Sequence, residues 1–473
     1  MLISDLFDMK QSYKFFFIGV VALFATGCEK YVDIKTQGNL VPNQAINYRY
    51  LLNTPANFEQ NTNLGDFASD ELNIVDAAQI NGLTGGLNYG YYINSYTWKS
   101  VIFPIGTNYE QDDNWNRLYS NILYCNTIIQ ELPEANGTDA EKAEMIAEAK
   151  VHRADAYLAL VNTYAKPYQA GSAATDLGVP LILKQTMSQS LNRASLQVVY
   201  NQIIEDLTSA IPALPNSQAY NTLPSKASAY GELARCYLYM NDYANANKYA
   251  DMALALRSTL NDLGALSSVS SANYPRRITD PEILLSKLAA GNALSFSPTA
   301  YRLSDEILSL LGTADQRYQL LTVPASTISS TLTGRYSYRE ARIGETRNVG
   351  PNVPEMMLIK AEYFARNNDA ANAMLWVNNL RIKRFKPADY VALTASSPAD
   401  ALVKVIEERR REFIGRMLRW WDMRRLKSET AFQRTYTRTV NGTTYTLAPN
   451  SERYVFPIAE FLTNLNPELE KNP

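Results

Sequence analysis

The side chains able to do chemistry are few and poorly grouped. A single histidine, His152, lies in a helical run, so a histidine-based triad or multi-histidine metal site lacks its partners. Adjacent carboxylates occur at Asp112-Asp113, with Glu110 close by, and at Glu407-Glu408. Glycoside hydrolysis needs carboxyl groups flanking the scissile bond, which neighbours on one segment seldom provide. No Gly-x-Ser-x-Gly elbow occurs. The run Asn81-Gly82-Leu83-Thr84-Gly85-Gly86 lacks the ending of a phosphate loop and follows no β-run, so it reads as a flexible turn. Binding, not catalysis, is what remains. Tyrosine is the outlier, 31 against 15 phenylalanines. A phenol offers an apolar face and a polar tip at low entropic cost, which suits stacking against sugars or flexible chains. The densest group is Tyr89, Tyr91, Tyr92, Tyr96 and Trp98, near Asp70 and Asn73. Trp98 is the first choice for a sugar platform, with Tyr168, Tyr301, Tyr336 and Tyr338 as further candidates.

The amino terminus says where such a site would work. Lys10 and Lys14 precede an apolar run from Phe15 to Ala25, followed by Thr26-Gly27-Cys28. The run is well short of the roughly 20 residues that cross a bilayer as a helix, so it reads as a secretory signal. Ala25-Thr26-Gly27-Cys28 resembles a bacterial lipobox, with alanine where leucine is usual, which makes Cys28 the lipid attachment residue and 1–27 the signal peptide. Asp5 and Asp8 are odd in such a leader and suggest a start at Met9. The formal net charge of −2 implies no basic surface for nucleic acid. Cys125 and Cys236 sit in helical patterns and provide no disulfide framework; they read as buried thiols, with a single bridge between them the alternative.

The scaffold is legible from periodicity. Trp115, Leu118, Tyr119, Ile122 and Asn126 recur at three and four from Asn114, and a longer helix spans Asp139 to Tyr164, ahead of Pro167. Further helices are expected at 195–213 and 224–240, with Ser225 as a cap. Tyr230, Leu233, Ala234, Tyr237, Ala246 and Ala253 then follow tetratricopeptide spacing, with Asn241-Asp242-Tyr243 at the turn. The frame recurs 127 residues later at Met357, Ala361, Phe364, Asn368-Asp369, Ala373 and Leu380. A lone pair cannot bury its faces, so the earlier helices should supply the remaining pairs. Helices resume at 353–385 and 399–417. The expected division is a tether at 28–53 and a single domain at 54–473. Its helical scaffold is at about 114–257 and 353–427, and its irregular recognition regions at about 54–113 and 258–352. A strand-like run, Thr443 to Leu447, falls in the tail.

Residues 407–427 are rich in arginine, but Glu407, Glu408, Glu412 and Asp422 interleave at helical contact distance. Val403, Ile406, Phe413 and Met417 form a stripe with Arg410 in its middle, where a lone buried charge would be costly. A structural ion-pair network with Trp420 and Trp421 in the core is expected, not a nucleic-acid patch. Glu408-Arg409-Arg410-Arg411-Glu412-Phe413 and Arg419-Trp420-Trp421-Asp422-Met423-Arg424-Arg425 resemble the carboxy-terminal signature of the SusD/RagB family of outer-membrane nutrient-binding lipoproteins. Family members usually carry Glu-Gly where this chain has Arg416-Met417. Tyr31-Val32-Asp33-Ile34, the blocks Arg193–Pro215, Ser225–Leu254 and Met356–Phe385, and Phe456-Pro457-Ile458 with Asn466-Pro467 and Asn472-Pro473 extend the likeness to nearly the whole chain. The resemblance implies a mainly α tetratricopeptide-like array of about four helix pairs with little β and a large irregular ligand-binding subdomain. It also implies a lipid-anchored, non-enzymatic lid at the outer membrane, facing outwards over a TonB-dependent transporter of the SusC type. Its ligand would be an oligosaccharide, or in some branches a peptide. No cofactor is expected. Calcium occurs in parts of the family, but no loop spacing here specifies it. The family's ligand residues define no motif, so Trp98, Tyr96, Tyr91, Tyr89, Asn73, Asp70 and Tyr336 rest on residue type alone.

Overall fold

The computed structural model describes residues 42–84, 89–185, 190–289 and 298–472. Cys28, the leader, most of the tether and Gly85-Gly86 lie outside them. The protein from Ala45 onward is one compact unit. Its scaffold runs α1 (Ala45–Leu52), α2 (Leu64–Ala68), α3 (Gly90–Tyr96), α4 (Asp113–Glu131), α5 (Asp139–Tyr164), α6 (Leu196–Ala210), α7 (Lys226–Tyr239), α8 (Tyr243–Leu256), α9 (Val353–Arg366), α10 (Ala370–Arg381), α11 (Pro398–Glu412) and α12 (Leu418–Leu426). From α4 to α11 each long helix packs on its predecessor, so the insertion between α8 and α9 leaves the stack unbroken. Strands are short and paired only in twos: β1 (Gln60–Asn61), β2 (Leu177–Pro180), β3 (Arg193–Ser195), β4 (Leu288–Ala289), β5 (Thr322–Pro324), β6 (Arg335–Ser337), β7 (Tyr436–Val440) and β8 (Thr443–Leu447).

The two predicted hairpins form as read. Ala234 on α7 and Ala246, Ala250 and Ala253 on α8 are all fully buried where these two helices pack, as are Ala361 and Ala373 on α9 and α10. Small side chains let the backbones approach, and Tyr237 stacks on Tyr249 beside them, centroids 5.5 Å apart. Each turn places an asparagine in the left-handed region, Asn241 at φ 61° and Asn368 at φ 62°, where asparagine is tolerated better than most residues. Asp242 and Asp369 then cap α8 and α10 by accepting from Asn245 N–H and Asn372 N–H, contacts worth about 1 kcal/mol each. Arg235 pairs with Glu355 at 2.7 Å in the core and ties α7 to α9. Cys125 and Cys236 are buried free thiols; burial pushes Cys125 up to about 12. His152 is also buried, its Nδ1 lying 3.0 Å from Lys287 Nζ.

The helix expected over 399–417 stops at Glu412. Gly415 and Met417 take φ of 66° and 68°, which no α-helix permits, and the chain turns sharply into α12. Side chains from the segment 66–71 hold this turn: Asp66 Oδ1 accepts from Met417 N–H at 2.7 Å and Glu71 Oε2 from Gly415 N–H at 3.1 Å. The arginine block is an ion-pair network, as its spacing predicts. Glu408 joins Arg317, Arg381 and Arg411; Glu412 joins Arg317 and Arg384; Asp422 joins Arg409 and Arg425, which reaches on to Glu362. Arg410 is paired with Asp70 at 3.2 Å and Glu306 at 2.8 Å. Trp420 and Trp421 are core residues. Strand β8 matches the expected run, with β7 as an antiparallel partner that alternation alone did not reveal.

Candidate functional site

The irregular regions contain short helices, and α3 gathers the aromatic cluster. Tyr91 and Tyr92 centroids are 4.2 Å apart, Tyr91 lies 5.6 Å from Phe103 and 6.0 Å from Tyr109, and Tyr89 stacks on Tyr92 at 6.4 Å. The structure places Trp98 and Tyr96 differently. Trp98 is 7% exposed, with φ 51°, and its indole N–H donates to Ala68 C=O at 2.9 Å. Arg438, from β7, lies over both rings, 4.0 Å from the Tyr96 centroid and 4.2 Å from that of Trp98. The Tyr96 hydroxyl accepts from Ile74 N–H. These two rings pack the loop floor, so neither has a face open to a sugar in this conformation.

The remaining sequence candidates are separated. Asp70 accepts from Arg419 at 2.6 and 2.8 Å and from Arg410. Burial alone would raise its pKa, but those guanidiniums hold it well below the usual carboxylate range. Asn73 is half-buried, and its carbonyl accepts from Gln79. Tyr336 is fully buried in the β5–β6 hairpin and donates to Asp76. Tyr301 lies under Arg347. Of the acidic pairs, Asp112 caps α4 and accepts from the Tyr164 hydroxyl, while Glu110 accepts from Gly106 N–H. Burial raises Asp112 to about 6 against those hydrogen bonds. A carboxylate committed to a helix end is poorly placed to move protons for a substrate. Among the described residues no three metal-ligating side chains converge.

Tyr89 and Tyr91 do reach an opening. With Phe103 and Tyr109 they wall a cavity of about 230 Å³ whose polar groups are Asn108, Gln111, Asp113 and Asn114. Tyr89 and Tyr109 are half-buried, and Asn108, Gln111 and Asp113 exposed. Gly90 makes room: a Cβ there would lie 2.2 Å from the Tyr109 hydroxyl oxygen. Aromatic walls beside amide and carboxylate groups match a sugar's C–H faces and hydroxyls. Sequence reasoning missed Tyr109, Asn108 and Gln111, whose only signal was membership of the tyrosine- and asparagine-rich 54–113 region. Tyr168 borders a separate, wider hollow of about 610 Å³ at the hairpin turns, where Arg366 covers the Tyr243 ring.

A tetratricopeptide-like stack carrying irregular loops with an aromatic and amide cavity defines a class of binding scaffold. The family model described as "Starch-binding associating with outer membrane" matches residues 30–238, and that described as "SusD family" matches residues 353–473. The chain belongs to the SusD/RagB family. It is similar to a SusD superfamily protein of Bacteroides thetaiotaomicron (TM-score 0.70, 18% identity, covering 91% of this chain and 100% of that one). It is similar also to a SusD superfamily protein of Bacteroides fragilis (0.69, 21%, 90% and 99%). A third, surface glycan-binding protein A from Bacteroides uniformis, gives 0.68, 17%, 90% and 98%. Comparison with curated proteins gives no match. No helix among the described residues is long and apolar enough to cross a membrane.

Proposed function

We propose that this protein is a cell-surface lipoprotein, anchored in the outer membrane through Cys28, that captures nutrient oligosaccharides without transforming them. It hands them to a partner TonB-dependent transporter of the SusC type. Family membership and the glycan-binding name of the B. uniformis relative support the ligand class. The observation that carries the reading is the Tyr89–Tyr91–Tyr109 cavity, where stacking faces and hydroxyl-binding groups stand together on loops braced by a rigid array. In it Tyr89 and Tyr109 supply the platforms, Tyr91 the floor, and Asn108, Gln111 and Asp113 the hydrogen bonds.

The test is a glycan and peptide screen of residues 29–473, followed by calorimetry. Tyr89→Ala and Tyr109→Ala should each weaken glycan binding about tenfold, the loss of one aromatic contact of ~1–1.5 kcal/mol. Gly90→Ala, which displaces the Tyr109 ring, should act in the same direction. Tight peptide binding with silence across glycans would reject the ligand class. Unchanged affinity in all three variants would reject the site.

A further inference from the structure

We infer that a second cavity, beneath the Gly415 turn, binds a small oxyanion, of the kind carried by sulfate, phosphate or a sugar carboxylate. The cavity holds about 50 Å³, and Arg339, Arg347 and Arg416 line it. A cavity needs only ~10–15 Å³ of such space to hold a water, so there is room here for one small anionic group.

A set of buried donors there finds no partner among the described residues. Arg347 is 3% exposed, yet its Nε, Nη1 and Nη2 have no hydrogen-bond partner, and neither does Nε of Arg339, 7% exposed. Buried polar groups are seldom left so, because each orphan costs its full desolvation. Other arginines lining the cavity differ in this respect. Arg317 is held by Asp315, Glu408 and Glu412, and Arg384 by Glu282 and Glu412. Around Arg347 the acids stand off: Glu340 Oε1 lies 3.6 Å from Arg347 and 3.7 Å from Arg339, and hydrogen-bonds to neither. Asp66 spends one oxygen on Met417 N–H. Arg416, half-buried on the same wall, forms no ion pair among the described residues. Glu412 on the same wall faces Arg416, so the donors left over are those of Arg347 and the Nε of Arg339.

The geometry favours an oxyanion over water alone. The Arg347 guanidinium lies over the Tyr301 ring, its Cζ 3.7 Å from the centroid, and a guanidinium stacked on a ring can still offer two N–H groups to one oxyanion. Gly415 permits that placement: a Cβ there would sit 2.0 Å from Arg347 Nη1.

The full chain, purified in detergent, is titrated with sodium sulfate, sodium phosphate, glucuronate and neutral glucose at ionic strength matched by sodium chloride. Thermal shift and calorimetry are the readouts. Saturable binding and stabilisation by at least one of the three anions are expected, with none from glucose or chloride at this cavity. Arg416→Gln, half-exposed and safe for folding, should weaken binding at least tenfold, and Arg347→Gln should abolish it. Binding of glucuronate identifies an acidic sugar as source; binding of sulfate or phosphate alone identifies a free ion. Responses equal to chloride, or wild-type affinity in Arg416→Gln, would overturn the inference. Arg416→Gln and Arg347→Gln assign a signal to this cavity, and Tyr89→Ala, outside it, should leave anion binding unchanged, so either site can fail alone.

Discussion

Replacing Glu408 by glutamine tests whether the arginine block is held by charge or by shape. The side chain is fully buried and accepts from Arg317 at 2.7 Å, Arg381 at 2.8 Å and Arg411 at 3.0 Å. Burial alone would raise its pKa, but Arg317, Arg381 and Arg411 override burial and hold it to about 2, against 4.5 ordinarily. At ~1.36 kcal/mol per unit this amounts to about 3 kcal/mol of stability at neutral pH. Breaking a buried ion pair from one side costs ~3–5 kcal/mol by a separate route. Unfolding entropy of ~2.1 cal/mol/K per residue, over the roughly 430 residues from Ala45 onward, converts this to a fall in Tm of about 3–5 °C. A depressed folded pKa means the contribution is complete above the unfolded value and disappears as pH drops through the folded one. The gap between wild type and Glu408→Gln, followed by calorimetry, should therefore hold from pH 7 to about 5.5 and lose over half its size by about pH 3. A gap under 1 °C at pH 7, or one that persists unchanged at pH 3, would refute the reasoning.

The opposite sign is expected at Glu71, which burial pushes up to about 8 despite the hydrogen bond from Gly415 N–H. Its stability contribution is whole below about pH 4.5 and is lost as pH rises towards 8. Glu71→Gln should thus unfold about 2–3 kcal/mol harder than wild type at pH 7 and no harder at pH 4, read from urea midpoints. Asn368→Ala should cost about 1 kcal/mol because alanine resists φ 62°, whereas Asn368→Gly should cost nothing; equal losses would deny the backbone cause. Cys28→Ala should move the protein from membrane to soluble fractions, and retention in the membrane would remove the lipid anchor from the proposal.

Periodicity carried the scaffold because helix faces repeat locally: Leu233, Ala234, Ala246 and Ala253 reveal their burial within a few turns of chain. The arginine block was legible for a related reason, since Glu408 and Asp422 each stand one helical turn from a cation they oppose, Arg411 and Arg425. Three further partners of Glu408 and Glu412, namely Arg317, Arg381 and Arg384, come from distant segments and leave no local trace. The aromatic cluster shows where such reading stops. Tyr89 and Trp98 look alike in a tyrosine-rich loop, and only Arg438, 340 positions beyond Trp98, decides that one ring is covered while the other borders a cavity. The short end of α11 was hidden likewise, because Met417 takes a backbone conformation normally left to glycine.

The clasp between the 60s segment and the carboxy-terminal third has a consequence for biogenesis. Asp66 receives Met417 N–H across 351 positions and Asp70 receives Arg419 across 349, while Arg438 donates to Phe67, Ser69 and Tyr96 carbonyls. An early loop fastened by such late residues stays unfinished until almost the entire polypeptide has emerged. Nascent chains halted before position 417 would leave Asp70 without Arg419, Asp66 without the Met417 N–H, and the Phe67, Ser69 and Tyr96 carbonyls without Arg438. Closure of this early loop therefore waits on residues 417 to 438.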